Sequence, residues 1–160
     1  MSDRPLTAEP VATEALLFLL IPDFSMIAFT SAIEPLRIAN RLSGRRLYEW
    51  RLLSRDGGPV AASNGIAIQV DSGIATAEPP ATGTPPAVVL CGGLGSEHYQ
   101  SKEVFSWLRR WDRRGAPIGA LCTGAHVLAR AGLLDRHRCT IHWENLPGFI
   151  EAFPEIPVTS

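Results

Sequence analysis

The chain has 160 residues, a formal net charge of −1 and a hydrophobic content of 46%. A single domain of this size buries most of its surface, and near-neutral charge excludes a protein built for bulk attraction to nucleic acid or membranes. The three cysteines are odd in number and widely spaced, which favours a reducing compartment, so we expect a cytoplasmic protein.

Residues 1–14 are polar and contain two prolines, and they predict a flexible N-terminal tail ahead of a folded domain over 15–160. The longest apolar run, 15–21, is too short to cross a bilayer. The tail has no basic start and no clear cleavage site, which argues against a signal peptide. We therefore predict no membrane association, and the run 15–21 is assigned to a first buried strand.

An amphipathic helix is predicted over 26–41, after a loop in which Asp23 or Ser25 is available as a cap. Pro35 predicts either a kink in this helix or its end, followed by a second helix that starts near the proline. The apolar stripe of the helix consists of Met26, Phe29, Ile33 and Leu36.

Between the first helix and Arg114 the pattern predicts two strands, a hairpin, a proline-rich connector and a helix. The strands are predicted over 47–53 and 87–91, the hairpin over 59–70, the connector over 78–86 and the helix over 99–114. Asn64-Gly65 favours a type I′ turn in the hairpin. After the strand 87–91 come Gly92, Gly93 and Gly95, which either present backbone N–H groups to an anion or form a plain tight turn.

The stretch around Cys122 is the most distinctive part of the chain. The apolar run 117–121 predicts a buried strand, and apolar residues at helical spacing predict a helix over 123–133. Small residues, Ala120 and Gly124, lie two positions either side of the cysteine. This is the layout of a nucleophile elbow, whose helix N-terminus favours a thiolate. The alternative is an inert cysteine of the core.

Residues 139–142 predict a short strand, and 143–153 predict a short helix that Pro147 breaks. Strands therefore alternate with helices, a pattern typical of an open, mainly parallel sheet covered on both faces, which is a three-layer α/β/α sandwich. Ligands of such sheets bind beyond the carboxyl ends of the strands. We expect four parts of the chain to meet there: 22–25, 92–95, Cys122 and His142.

Two spacings near the C-terminus suggest other chemistry. His137, Cys139 and His142 are potential zinc ligands, but no second pair completes a tetrahedral site, so we predict no metal. His142 and Glu144 have the H-x-E spacing of a glutaminase dyad, although no other glutaminase element is obvious.

Four stretches carry a family resemblance: LLIPDFSMIAFTSAIEPLRIAN, VVLCGGLG, IGALCTGAHVLARAGLLDRHRCTIHW and FPEI. They resemble the class I glutamine amidotransferase-like superfamily, in its ThiJ/PfpI group. The closer resemblance is to the N-terminal domain of GlxA-type AraC/XylS-family transcriptional regulators. It runs from about residue 15 to the end of the chain. It implies a flavodoxin-like sandwich that needs no cofactor, forms homodimers and continues past Ser160 towards a DNA-binding helix-turn-helix domain absent from this chain.

The resemblance also assigns roles to single residues. In the superfamily's enzymes the elbow cysteine works with a histidine and an acid, and these positions fall on Cys122, His142 and Ala28. The oxyanion segment falls on Gly92 and Gly93. Because alanine cannot hold a proton, the usual acid is missing. Members with a Cys-His dipeptide have a base beside the cysteine, where this chain has threonine.

The missing acid favours binding over turnover, because a nucleophile needs an oriented base. We predict a non-catalytic sensor of a small metabolite, in which glycine N–H groups and Thr123 take a carboxylate and an aromatic side chain, Phe24, Phe29 or Trp143, faces a cationic or apolar part. The family resemblance implies that this metabolite is an amino acid or a quaternary amine. The predicted ligand-binding residues are Cys122, Thr123, Gly92, Gly93, His142, Phe24, Ser25, Trp143 and, more remotely, Glu34.

Two other functions remain open for the same residues. The first is a ThiJ/PfpI-like enzyme of the hydratase, glyoxalase or amidase type, with Cys122 as the nucleophile and His142 as its partner. The second is a redox sensor, in which peroxide oxidises the Cys122 thiol.

Overall fold

The computed structural model describes residues 12–78 and 83–159. Most of the predicted tail 1–14 and the centre of the predicted connector 78–86 lie outside these ranges. Within them, no helix has the length and hydropathy that a membrane span requires.

Seven strands and four α-helices make up the described chain. The strands are β1 (Glu14–Leu20), β2 (Tyr48–Ser54), β3 (Val60–Ala61), β4 (Ala67–Ile68), β5 (Ser72–Gly73), β6 (Ala87–Cys91) and β7 (Ile118–Leu121). The helices are α1 (Met26–Ser43), α2 (Lys102–Arg113), α3 (Ala125–Arg130) and α4 (Leu146–Ala152).

The main sheet has the strand order β5-β2-β1-β6-β7, and every neighbouring pair in it is parallel. β1 lies at the centre, where Leu19 is in register with Leu53 of β2 on one side and Leu90 of β6 on the other. All three side chains are fully buried. The predicted open parallel sheet is confirmed.

Helices cover both faces of this sheet, so the predicted three-layer sandwich is also confirmed. Side chains of a strand alternate between the faces. Leu17 and Leu19 belong to one apolar cluster, and Phe18 and Leu20 belong to another. The first cluster includes Val104, Trp107, Leu108 and Trp111 of α2 and Val127 and Leu128 of α3. The second includes the predicted α1 stripe of Met26, Phe29, Ile33 and Leu36.

α1 continues through Pro35 to Ser43, so of the two alternatives at this proline the one with two separate helices is wrong. Pro35 is exposed, and the carbonyl group that its missing N–H leaves unpaired can be solvated from that side. The start of α1 is capped by Ser25, whose Oγ accepts from the N–H of Ala28 at 3.4 Å. Its end is set by Gly44 in the left-handed conformation (φ 64°).

The predicted hairpin is present as the antiparallel pair β3–β4, but its turn is not type I′. A type I′ turn needs positive φ at both central residues. Gly65 has φ 82°, whereas Asn64 is not among the described residues with positive φ. The side chain of Asn64 instead accepts a hydrogen bond from the N–H of Ile66 at 3.1 Å, and this local hydrogen bond stabilises the turn.

The structure differs from prediction behind the elbow. Residues 139–142 form no strand, because the only ladder contact in this stretch is an isolated bridge between Cys139 and Val158. Pro147 does not break the last helix. It lies in the first turn of α4, where its missing N–H needs no partner, and a 3₁₀ turn over Trp143–Asn145 precedes it.

Candidate functional site

The elbow is a sharp turn between β7 and α3. Cys122 has φ 56°, a left-handed backbone that costs a residue with a Cβ about 1–2 kcal/mol. A 3₁₀ turn over Cys122–Gly124 leads directly into α3, which ends at Arg130, earlier than predicted. A Cβ built on Gly124 would lie 2.8 Å from Leu90 Cδ2 and 3.2 Å from the Cβ of Ala120. Small residues at positions 120 and 124 are therefore a geometric requirement of this turn.

Two glycines let the loop after β6 approach the elbow and the loop after β1. A Cβ on Gly92 would lie 2.4 Å from the backbone nitrogen of Gly124, and one on Gly93 would lie 2.0 Å from the carbonyl oxygen of Asp23. Hydrogen bonds hold this approach: the Thr123 hydroxyl donates to the Gly93 carbonyl, and the Ser25 N–H donates to the Gly92 carbonyl at 2.9 Å.

The N–H groups of these two glycines are used inside the domain. The Gly92 N–H donates to the Leu121 carbonyl at 3.4 Å, and the Gly93 N–H donates to Ser96 Oγ at 3.0 Å. In this structure both hydrogens are therefore donated within the fold and are not directed at the cavity as free donors. The same holds for Thr123, which is buried with its hydroxyl donated to Gly93.

A cavity of about 220 Å³ lies over the elbow. Its lining includes Ser25, Gly93, Cys122 and His142, one residue from each of the four predicted parts of the chain. Their predicted convergence beyond the carboxyl ends of the strands is confirmed. The remaining lining residues are Ser63, Leu94, Gly95, Glu97, Thr123, Glu144 and Asn145.

Four predicted ligand-binding residues do not line this cavity: Gly92, whose N–H is used inside the fold, and Phe24, Glu34 and Trp143. Phe24 is fully buried with its ring edge-on to Phe29 at 5.7 Å, because the loop after β1 turns this side chain into the core. Glu34 pairs with Arg37 on the exposed side of α1 at 2.7 Å, and this bond lowers the pKa of Glu34. Trp143 is 73% exposed and stacks on the His142 ring instead of lining the cavity.

Sequence reasoning missed Glu97 and gave Glu144 no part in binding, yet both carboxylates line the cavity. Among the described residues that line the cavity there is no lysine or arginine. Glu97 lies two residues after Gly95, the last glycine of the loop after β6, and this closeness is the one sequence signal that could have pointed to it. The charge of the cavity wall therefore favours a cation over an anion.

His142 is half-exposed, and its Nδ1 is 3.8 Å from the Glu144 carboxylate, beyond hydrogen-bond distance. The H-x-E spacing therefore produces no hydrogen-bonded dyad in this structure. Across residues 12–78 and 83–159, no group of three histidine, cysteine, aspartate or glutamate side chains is arranged to hold a metal ion.

This combination of a parallel sheet, a strained cysteine elbow and a glycine loop packed against it agrees with a comparison of sequences. The profile of the DJ-1/PfpI family matches residues 14–152. The chain belongs to the DJ-1/PfpI family.

Among curated proteins, the chain is 46% identical over 143 residues to the HTH-type transcriptional regulator GbdR of Pseudomonas aeruginosa. It is 41% identical over 139 residues to the HTH-type transcriptional regulator GlxA of Rhizobium meliloti. These matches cover 89% and 87% of this chain, but only 38% and 42% of the relatives. This DJ-1/PfpI chain therefore spans about two fifths of the length of these relatives.

A solved structure also resembles this DJ-1/PfpI domain. The crystal structure of an AraC family transcriptional regulator from Pseudomonas putida superposes with a TM-score of 0.76 and 30% sequence identity. The match covers 91% of this chain and 76% of that one.

Thiol labelling distinguishes the DJ-1/PfpI elbow cysteine from the other two. Burial raises the pKa of Cys91 to about 12, so its thiolate fraction at pH 8 is about one in ten thousand. Burial also raises the pKa of Cys139. We expect DTNB at pH 8 to modify Cys122 first and Cys91 only on unfolding.

The control for this labelling is Cys122→Ala, which should lack the fast phase. A fast phase that persists in Cys122→Ala would contradict the assignment. A Cys122 rate no higher than that of free cysteine would rule out the redox-sensor hypothesis.

Proposed function

We propose that this chain is the effector-sensing domain of a transcriptional regulator, and that the part of the regulator that contacts DNA lies outside these residues. The observation that carries the proposal is its similarity, along almost its whole length, to two proteins named as HTH-type transcriptional regulators. The cavity over Cys122 is the proposed effector site.

The chemistry of the cavity supports binding without turnover. The position that the resemblance assigns to the catalytic acid is Ala28, and Glu34 is held by Arg37 on the outer side of α1. Cys122 and His142 line the cavity without a hydrogen-bonded acid to orient them. Glu97 and Glu144 suit the cationic group of an amino acid or quaternary amine effector.

The effector changes transcription only if it binds one arrangement of the regulator more tightly than another. We propose that the domain works as a homodimer in the cytoplasm and that the effector shifts the relative position of the DNA-contacting domains. Sedimentation of the chain with and without effector tests the dimer.

The gene itself tests the regulatory assignment. We expect the reading frame to continue beyond the codon of Ser160 into two helix-turn-helix patterns whose second helices are basic. A stop codon directly after the sandwich would contradict a regulator in which this domain is fused to its DNA-contacting part.

The second candidate function is a cysteine-dependent enzyme, which the strained backbone of Cys122 at the cavity favours. Cys122→Ala separates the two functions. In a sensor we expect this variant to bind an effector within about 1–2 kcal/mol of the unmodified chain, measured by calorimetry on the amines and amino acids that bind it. In an enzyme of the hydratase, glyoxalase or amidase type, the same variant would lose essentially all turnover.

A further inference from the structure

His126 carries an unexplained polar atom. It lies on α3, is 3% exposed, and its Nδ1 has no hydrogen-bond partner in the described structure. Its ring packs edge-on against Phe149 at 5.0 Å and near Phe153 at 6.2 Å. Packing against these two rings explains why an aromatic side chain lies here, but it does not explain the ring nitrogen. A buried polar atom without a partner is unfavourable, and an apolar side chain in this position would not have one.

A second cavity of about 290 Å³ is lined by His126. It shares Glu97, Glu144 and Asn145 with the cavity over the elbow, so the two cavities are neighbours. A water molecule occupies about 30 Å³ of liquid, so this cavity has room for a small organic group. Gly148 of α4 also lines it, and a Cβ at that position would meet no atom within 4 Å.

The charges around this cavity favour a cation that donates hydrogen bonds. Glu97 and Glu144 bring two carboxylates against one guanidinium among the described lining residues, that of Arg130, which also donates to the carbonyl of Tyr99 at 3.4 Å. His98 lines the cavity as well and lies 3.8 Å from Glu97. Burial lowers the pKa of His126 below its usual 6.5, so its ring is neutral at pH 7 and has one nitrogen that accepts a hydrogen bond.

We infer that the cavity beside His126 is a ligand subsite for a cation with N–H groups, a primary ammonium or a guanidinium. One N–H donates to the imidazole nitrogen, and the positive charge lies against Glu97 and Glu144. A quaternary ammonium group has the same charge but no N–H, and it leaves the imidazole unpaired. The inference goes beyond the proposed function, because it concerns the ligand's chemistry and holds for a sensor and an enzyme alike.

The test uses the 160-residue chain with its four histidines labelled with ¹⁵N. n-Propylguanidinium is titrated at pH 7.5 and followed through the imidazole signals, with propyltrimethylammonium as a matched cation that lacks N–H groups. We expect saturable shifts of the His126 signal and no shift of exposed His137, which lines neither cavity. The trimethyl compound is expected to bind at least about tenfold more weakly, since it lacks the charge-assisted hydrogen bond.

Two variants keep the test independent of folding. His126→Leu removes the acceptor and suits the apolar surroundings, and Gly148→Met fills the cavity from α4. Each should weaken propylguanidinium binding, measured by calorimetry, by about tenfold or more while the melting temperature stays the same or rises. Glu151→Met, at an exposed position on the same helix, is the matched control and should leave binding unchanged.

The inference is overturned if the His126 signal does not move at millimolar propylguanidinium, if the trimethyl cation binds equally well, or if His126→Leu binds as tightly as the unmodified chain. A shift of His142 alone would place the cation in the elbow cavity and equally overturn it. None of these outcomes bears on whether the gene encodes a DNA-contacting domain, so the regulatory assignment is judged separately.

Discussion

Gly93→Ala is expected to destabilise the domain by about 3 kcal/mol or more. The added Cβ would lie 2.0 Å from the carbonyl oxygen of Asp23 and 2.6 Å from the backbone nitrogen of Ser25. Both are backbone atoms at the tight join between β1 and α1, so neither can rotate away. The substitution therefore moves the loop after β6 away from the loop after β1. This movement also separates the Gly93 carbonyl from the Thr123 hydroxyl that donates to it.

The measurement is urea unfolding followed by tryptophan fluorescence, with Gly119→Ala as the matched control. Gly119 lies in β7 on the neighbouring strand, and a Cβ there would meet nothing within 4 Å. We expect the control to unfold within about 0.5 kcal/mol of the unmodified chain. If Gly93→Ala is equally stable, the close contact between the two loops is not present in the folded protein.

Much of this fold can be predicted because its central strands are buried on both faces. Such strands are continuous apolar runs, and the bounds of β1 and β6 are therefore predicted to within one residue. β7 lies at the edge of the sheet, but it is also a short apolar run and its bounds are predicted equally closely. Helices between successive strands indicate that the strands run parallel, and the carboxyl ends of parallel strands lie at the same edge of the sheet. The place of Cys122 and His142 at one cavity is a consequence of that topology.

Side-chain direction within loops could not be predicted in the same way. The loop 22–25 was expected at the site, but its sequence does not show that Phe24 turns inward, where bridges to Ala62 and Gly93 hold its backbone. Likewise, Glu97 reaches the cavity because Gly95 has a left-handed backbone (φ 73°) that starts a 3₁₀ turn, and a helix predicted from residue 99 does not anticipate that turn.

The use of backbone hydrogen bonds also depends on tertiary contacts. A run of glycines after a strand predicts accessible N–H groups. The run itself does not show whether a nearby hydroxyl in the folded protein accepts from those groups. Here Ser96 accepts from Gly93, and this serine is fixed only by the folded loop. His126 illustrates the opposite case. His126 is the one polar residue in the otherwise apolar run 125–129, and this is visible in the sequence. The helical periodicity of the run does not show whether position 126 is buried or exposed.

Trp107→Ala is expected to cost about 3–5 kcal/mol, a large part of the stability of an ordinary domain. Trp107 of α2 is fully buried in the cluster between this helix and the sheet, with its ring 5.7 Å from that of Trp111. Its indole N–H donates to the Ala77 carbonyl at 2.6 Å and so ties α2 to the segment after β5. Truncation to alanine removes the ring contacts and the hydrogen bond together, and it leaves a cavity.

Trp107→Phe separates these two contributions, because it keeps an aromatic ring and removes the donor. We expect Trp107→Phe to lower the free energy of unfolding in urea by about 1–3 kcal/mol. Most of the further decrease in Trp107→Ala is then due to the missing ring. Trp107 lines neither the elbow cavity nor the cavity beside His126. DTNB labelling of Cys122 in folded Trp107→Phe should therefore match the unmodified chain. A changed rate would mean that packing between α2 and the sheet controls the elbow, and that the stability of the domain and the geometry of its site cannot be varied independently.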